Sequence, residues 1–141
     1  MILYLDASAL VKRFVQEEGS SEVTRLWKGA DSVGTGVLSR AEVPAALGKA
    51  VRMEVIGKAE GLRALESFRA LWADLVRVHA SESLLARADV LAWDLGLRGY
   101  DAVHLASALA WQDGLGEPVT FMTFDRKLAD SGRAVRLMVA P

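Results

Sequence analysis

The chain has 141 residues, a formal net charge of −1 and no cysteine, with 52 % hydrophobic and 25 % charged residues. That is enough apolar material for one cored domain, which excludes a disordered regulator, and the balanced charge excludes nucleic-acid binding by bulk positive charge while leaving room for a local basic rim. The lack of cysteine excludes disulfides, thiolate metal sites and thiol catalysis.

The absence of cysteine fits a reducing compartment, so a cytoplasmic location is expected. Met1 to Leu5 is apolar but ends at Asp6 with no basic residue before it, unlike a secretory signal. Nowhere do about eighteen uncharged apolar residues run together, so no membrane span is expected.

Strand and helix signals then alternate. Ile2 to Leu5 reads as a buried parallel strand, and Ala7 to Val15 as a helix. Gly19, Ser20 and Ser21 interrupt the chain before a short helix from Glu22 to Lys28. Ser32 to Val37 is a glycine-interrupted strand. From Arg40 to about Glu54 the spacing predicts a helix with Val43, Ala46, Leu47, Ala50 and Val51 on one face. After Gly57, Leu62, Leu65, Phe68, Leu71, Trp72 and Leu75 recur at spacings of three and four, a second amphipathic helix expected to face the core.

Val76 to Val78 could form a short strand, followed by helices at Glu82 to Leu95 and Asp101 to Trp111, ending near Gly96 and Gly114. Val119 to Phe124 is β-branched and aromatic, hence a strand. A short helix from Arg126 to Asp130 and a strand from Val135 to Val139 complete the chain. Strands separated by helices, with no Asn-Gly hairpin signal, predict a single α/β domain over residues 1–141 around a mostly parallel sheet of four to five strands.

Such sheets bind ligands beyond the carboxyl ends of their strands. Asp6 and Asp125 each follow a predicted strand, and Glu42 and Asp101 each lie in the first turn of a predicted helix. Each also has an ordinary structural reading. Asp6, Asp101 and Asp125 are placed to cap helices, and Glu42 follows Ser39 at the spacing of a capping box. If the four converge, the arithmetic changes. Two unit charges about 4 Å apart repel by roughly 4 kcal/mol at an effective dielectric of about 20, so such a cluster calls for a cation or for protonation. Oxygen donors of this kind suit Mg²⁺ or Mn²⁺, and a carboxylate-held divalent ion is a common means of hydrolysing phosphodiesters.

At these residues the sequence resembles the PIN-domain family, and within it the VapC-type ribonuclease toxins of bacterial toxin–antitoxin pairs. The matching segments are Leu3-Tyr4-Leu5-Asp6-Ala7-Ser8-Ala9-Leu10, Leu38-Ser39-Arg40-Ala41-Glu42, Arg98-Gly99-Tyr100-Asp101-Ala102-Val103-His104-Leu105-Ala106 and Thr123-Phe124-Asp125. The resemblance implies a three-layer sandwich in which helices flank the central sheet. It also implies a metal-dependent endoribonuclease whose Asp6, Glu42, Asp101 and Asp125 hold one or two Mg²⁺ or Mn²⁺ ions. Ser8 and Thr123 match small hydroxyl residues that the family places beside the acids, where they would orient a carboxylate or a water. An RNA substrate, a cognate antitoxin and a homodimer are the implied partners. Pro44, soon after Glu42, is less usual for the family and is expected near the helix start.

Lys12, Arg13, Arg40, Arg98, Arg126 and Lys127 flank the acidic segments and could contact RNA phosphates or simply be solvated. His104, three residues after Asp101, is conceivable as a general base but is expected to be a packed structural histidine. Trp27, Phe14, Leu62, Leu65, Phe68 and Trp72 are expected in the core, with an apolar groove for an antitoxin helix as their second use. Trp93 and Trp111 fit either core or dimer contact.

Three rivals remain. An aspartyl-phosphate phosphatase also begins with an aspartate after its first strand, but relatives resembling haloacid dehalogenases carry another aspartate where this chain has Ser8. A ribonuclease H-like fold opens with antiparallel strands, whereas a helix is predicted after Asp6. A catalytically inert PIN-like module that binds RNA or protein would have no reason to keep all four acids.

Overall fold

The structure, a computed structural model, describes all 141 residues. Five strands form one sheet: β1 (Ile2–Leu5), β2 (Ser32–Gly36), β3 (Val76–Val78), β4 (Val119–Met122) and β5 (Met138–Ala140). Their order across the sheet is β3-β2-β1-β4-β5, and every neighbouring pair is parallel. Seven helices connect them: α1 (Ala7–Val11), α2 (Ser20–Lys28), α3 (Ser39–Arg52), α4 (Lys58–Leu71), α5 (Glu82–Leu95), α6 (Gly99–Leu115) and α7 (Arg126–Ala134).

The alternation of side chains along β1 explains the three layers. Leu3 and Leu5 pack into one core with Leu10, Val23, Val43, Leu47 and Phe68 from the first four helices. Tyr4 points the other way, into a second core with Leu84, Leu105, Leu109, Phe121 and Leu128, which draws on α5, α6 and α7. Tyr4, Phe68 and Phe121 are fully buried, and each contributes on the order of 2–3 kcal/mol through the apolar area it withdraws from water. Helix α6 is alanine-rich and buried along most of its length, from Ala102 through Leu109, as expected for a helix that is apolar around most of its circumference.

Two glycines account for the weak strand signal of β2. A Cβ on Gly34 would stand 2.8 Å from the Trp111 ring, and one on Gly36 would stand 2.8 Å from the Tyr4 hydroxyl. The strand is glycine-interrupted because helix α6 and its side chains press directly on its backbone.

Several boundaries differ from expectation. Helix α1 stops at Val11, and the chain to Val15 continues through single turns. Helix α6 starts at Gly99 and ends at Leu115, where Gly116 takes the left-handed conformation at φ 68°. Strand β4 ends at Met122, so Asp125 stands three residues beyond it. Helix α7 runs on to Ala134, and β5 begins only at Met138 because the Leu137 amide first bonds back to the Gly132 carbonyl. Pro44 is the sixth residue of α3, close enough to its start for the helix to continue to Arg52. Leu62, expected in the core, is half exposed on the outer face of α4, and Trp93 stands almost wholly in solvent. Trp111 packs against the second core.

The chain builds β1, β2 and β3 outward on one side, then returns to lay β4 and β5 on the other. The strand order therefore switches between β1 and β4. Beyond their carboxyl ends lies the place where a parallel α/β sheet binds ligands.

Candidate active site

Asp6 follows β1 directly and caps α1, its Oδ1 accepting the Ala9 amide at 2.9 Å. Ser8 donates to the same oxygen at 2.7 Å, and Thr123 donates to Oδ2 at 2.6 Å. Asp6 is 4 % exposed. Burial pushes its carboxyl above the ordinary aspartate range, opposed by the hydrogen bonds from Thr123, Ser8 and Ala9.

The two hydroxyls also fix the distant segment after β4. Ser8 Oγ accepts the Phe124 amide at 3.2 Å, and Thr123 Oγ1 accepts the Asp125 amide at 3.1 Å. Asp125 in turn caps α7, its Oδ1 accepting the Leu128 amide at 2.8 Å. The capping expectation therefore holds for Asp6 and Asp125.

It fails for the other two. Asp101 is the third residue of α6, whose cap position belongs to Arg98. Glu42 has no capping box, because α3 already includes Ser39, whose hydroxyl is engaged elsewhere. Thr35 donates to the Leu5 carbonyl at 2.7 Å, which leaves its oxygen to accept from Ser39 at 2.7 Å. This relay ties the end of β1 to the start of α3 and sets where Glu42 stands. Both acids lie in first helical turns, where the positive end of the helix dipole favours a carboxylate.

Two cationic or protic groups meet these acids. Arg98 Nε donates to Asp101 Oδ2 at 3.0 Å, and its Nη2 stands 3.7 Å from Asp125 Oδ2. The guanidinium lies over the Tyr100 ring and is itself well exposed. His104 Nε2 meets Glu42 Oε1 at 2.6 Å, and its Nδ1 meets the Tyr4 hydroxyl at 2.8 Å.

Hydrogen bonds and ion pairs therefore connect Asp6, Asp125 and Asp101 in one chain, while Glu42 stands in a separate line with His104 and Tyr4. No three acidic or imidazole groups stand as a ready-made set of metal ligands. The donor chemistry nevertheless suits a hard divalent cation. Each acid keeps unused acceptor capacity: Asp6 at Oδ2, Glu42 at Oε2, Asp101 at Oδ1 and Asp125 at Oδ2. The buried Asp6 charge lacks a full counter-charge, and Arg98 is an exposed ion pair of a kind that holds its partners weakly.

The other basic residues divide. Lys127 donates to the Gly96 carbonyl at 2.5 Å, and Lys12 to Glu17 at 3.0 Å and to the Glu18 carbonyl at 2.9 Å. Arg13 stacks on Trp27, and Arg40 lies near the rings of Phe68 and Trp72. Arg126 is exposed and, with Asp125 and Arg133, lines a cleft of about 360 Å³ adjoining the acids. Glu42, Asp101 and Asp6 lie outside that cleft.

A family model described as the PIN domain matches residues 3–133. The chain belongs to the PIN-domain family. As a PIN domain it is 38 % identical to Ribonuclease VapC45 of Mycobacterium tuberculosis (strain CDC 1551 / Oshkosh), covering 99 % of this chain and 95 % of the relative. The PIN fold is equally clear in solved structures. The crystal structure of PAE2754 from Pyrobaculum aerophilum matches with a TM-score of 0.68 at 19 % identity, over 99 % of this chain and 89 % of that one. A toxin–antitoxin complex from Klebsiella pneumoniae matches with a TM-score of 0.68 at 16 % identity, over 100 % of this chain and 97 % of that one.

Tyr4, Gly36, Thr35 and Ser39 were not singled out by the sequence as parts of this PIN site. One signal for Tyr4 was available: a hydroxyl inside an otherwise apolar strand, two residues before Asp6 and on the same side of the pleat.

Proposed function

We propose that this chain is a metal-dependent endoribonuclease, the toxin of a toxin–antitoxin pair, acting at Asp6, Glu42, Asp101 and Asp125. The observation that carries the reading is the placement of these acids on the carboxyl edge of the sheet beside its switch point, with Asp6, Asp125 and Asp101 linked by hydrogen bonds and ion pairs and Glu42 held by His104. The near-full-length similarity to a protein named a ribonuclease supports RNA as substrate. Likeness to a toxin–antitoxin complex supports an antitoxin partner, and a homodimer completes the assembly we propose.

In this reading the four carboxylates hold Mg²⁺ or Mn²⁺. A divalent ion bound there supplies activation of water and neutralisation of charge on the scissile phosphate. The chain's own residues do the rest. Ser8 and Thr123 hold the Asp6 carboxylate in one orientation from both of its oxygens. Arg126 is placed to contact RNA phosphate beside Asp125, and Arg98 becomes free to do so once it leaves Asp101. Arg40 lies over the rings of Phe68 and Trp72, and Lys127 first has to release the Gly96 carbonyl.

The test is cleavage of RNA by the purified full chain. Cleavage should require Mg²⁺ or Mn²⁺, stop with EDTA and fall steeply in Asp101→Asn. Undiminished cleavage by that variant in EDTA would overturn the reading.

A further inference from the structure

A buried polar pair lies behind Glu42. His104 is 2 % exposed and Tyr4 is fully buried, 100 residues apart in sequence, and their polar atoms meet at 2.8 Å inside the second core. The other ring nitrogen of His104 reaches Glu42 at 2.6 Å, and the Glu42 side chain is 27 % exposed. A line of two hydrogen bonds thus runs from the apolar interior to the open face of the site. No buried side-chain polar atom is left without a partner.

The chemistry of the three groups sets the direction of this line. An ionised carboxylate only accepts, so the proton shared with Glu42 sits on His104 Nε2. Nδ1 is then available as an acceptor. A phenol keeps its proton at neutral pH, so the Tyr4 hydroxyl, 2.8 Å away, donates it to Nδ1. Tyr4 therefore selects the tautomer that His104 presents to Glu42.

Two further observations show that the space is built for this arrangement. A Cβ on Gly36 would lie 2.8 Å from the Tyr4 hydroxyl, 3.3 Å from Ser107 Oγ and 3.6 Å from His104 Nδ1, so a side chain there would displace the relay. The Tyr4 and His104 rings also meet edge to face with centroids 6.0 Å apart, which fixes the imidazole plane.

We infer that Tyr4 and His104 form a positioning relay for Glu42, in which the phenol fixes the imidazole tautomer and the imidazole N–H fixes one carboxylate oxygen, leaving the other free to hold a cation. The inference rests on the proposed function, because it concerns the same carboxylate. It inverts the usual metal-site order, in which a histidine binds the ion and a carboxylate supports the histidine. Neither Tyr4 nor His104 is a catalytic residue here; both act through Glu42.

The experiment uses the full chain and reads Mn²⁺ binding by calorimetry, RNA cleavage and thermal melting together. His104→Ala should weaken Mn²⁺ binding and lower kcat by roughly 10- to 100-fold, the usual cost of losing a residue that orients a ligand, with little change in KM for RNA. His104→Gln, which restores an N–H toward Glu42, should recover most of the loss. In a Glu42→Gln background, His104→Ala should cause no further loss of Mn²⁺ binding, because the residue it acts through is already altered.

Tyr4→Phe removes only a hydroxyl and covers the case in which His104→Ala fails to fold. The chain has only one other histidine, His79, so the His104 imidazole nitrogens can be read directly by NMR. The unmodified protein should carry its proton on Nε2, and Tyr4→Phe should mix the tautomers. Unchanged Mn²⁺ binding in a folded His104→Ala, or losses that multiply with Glu42→Gln, would overturn the relay alone. No Mn²⁺ binding by the unmodified chain would overturn the proposed function and the relay with it.

Discussion

Thr123 donates to Asp6 at 2.6 Å across 117 residues of sequence, and the same hydroxyl oxygen accepts the Asp125 amide at 3.1 Å. One side chain thus sets the angle of a buried carboxylate and the start of the helix that carries a second. Ser8 repeats the device from the other side, donating to Asp6 and accepting the Phe124 amide. The switch point of the sheet is held shut by two hydroxyls, each of which uses both its donor and its acceptor.

Thr123→Val keeps the shape and removes both bonds. It should lower RNA cleavage by roughly 10- to 100-fold, as loss of a residue supporting a ligand does. It should also destabilise the fold by about 1–3 kcal/mol, the cost of leaving a buried acceptor unpaired. Thr123→Ser should restore both. Steady-state cleavage and denaturant melts check this, and full activity in Thr123→Val would remove the residue from the site.

Much of this architecture was legible in the residues. β1 and α5 were plain, the first from a continuous apolar run and the second from its stop at Gly96. The acids were legible because they sit where strands end and helices begin. The links between them were not. Tyr4 reads as one more apolar residue in a core strand, and Gly36 as a weakness in β2, until α6 is laid against both. Asp101 invited a cap reading because Asp is a good cap, yet Arg98 holds that position and uses its side chain on the acid instead. Local signals carry the elements; contacts between remote segments carry the site.

The buried Asp6 charge imposes a cost on the fold. Burial raises its folded-state pKa above 3.8, so the folded chain binds more protons than the unfolded one in the window above that value. Stability then falls as pH rises through the window. In chelator at neutral pH, Asp6→Asn should therefore melt a few degrees higher than the unmodified chain while losing cleavage. The gap should close as pH falls toward 3.8, where the unmodified Asp6 also becomes neutral. Thermal melts across pH test this; a lower Tm for Asp6→Asn at neutral pH would contradict it.

Arg98 pairs with Asp101 and Asp125, and under the proposed function it would compete with a cation for both. Its guanidinium is exposed, so solvent and salt weaken its hold. Arg98→Met keeps a long side chain and removes the charge, and should tighten Mn²⁺ binding severalfold at low ionic strength. The gain should shrink at high salt, where the arginine is already screened. Affinity for uncleaved RNA should move the other way, through loss of a phosphate contact. Calorimetric titrations at two salt concentrations decide the matter; weaker Mn²⁺ binding by Arg98→Met would make Arg98 a supporting residue for Asp101 instead of a competitor.

Helix α4 separates what periodicity groups together. Leu62 and Phe68 belong to one stripe at spacings of three and four, yet Leu62 is half exposed and Phe68 is fully buried. Phe68 meets Phe14 and Trp72 edge to face, with centroids 5.6 Å away in each case, at the centre of the first core. Removing its ring leaves a cavity that neighbouring aromatic rings cannot collapse to fill. Phe68→Ala should cost about 3–5 kcal/mol, whereas Leu62→Ala should stay within about 0.5 kcal/mol of the unmodified chain. Urea melts of the two variants measure the contrast directly. A comparable loss from Leu62→Ala would mean that the outer face of α4 is covered in solution, and size-exclusion chromatography of the same two variants would then show whether a second copy covers it.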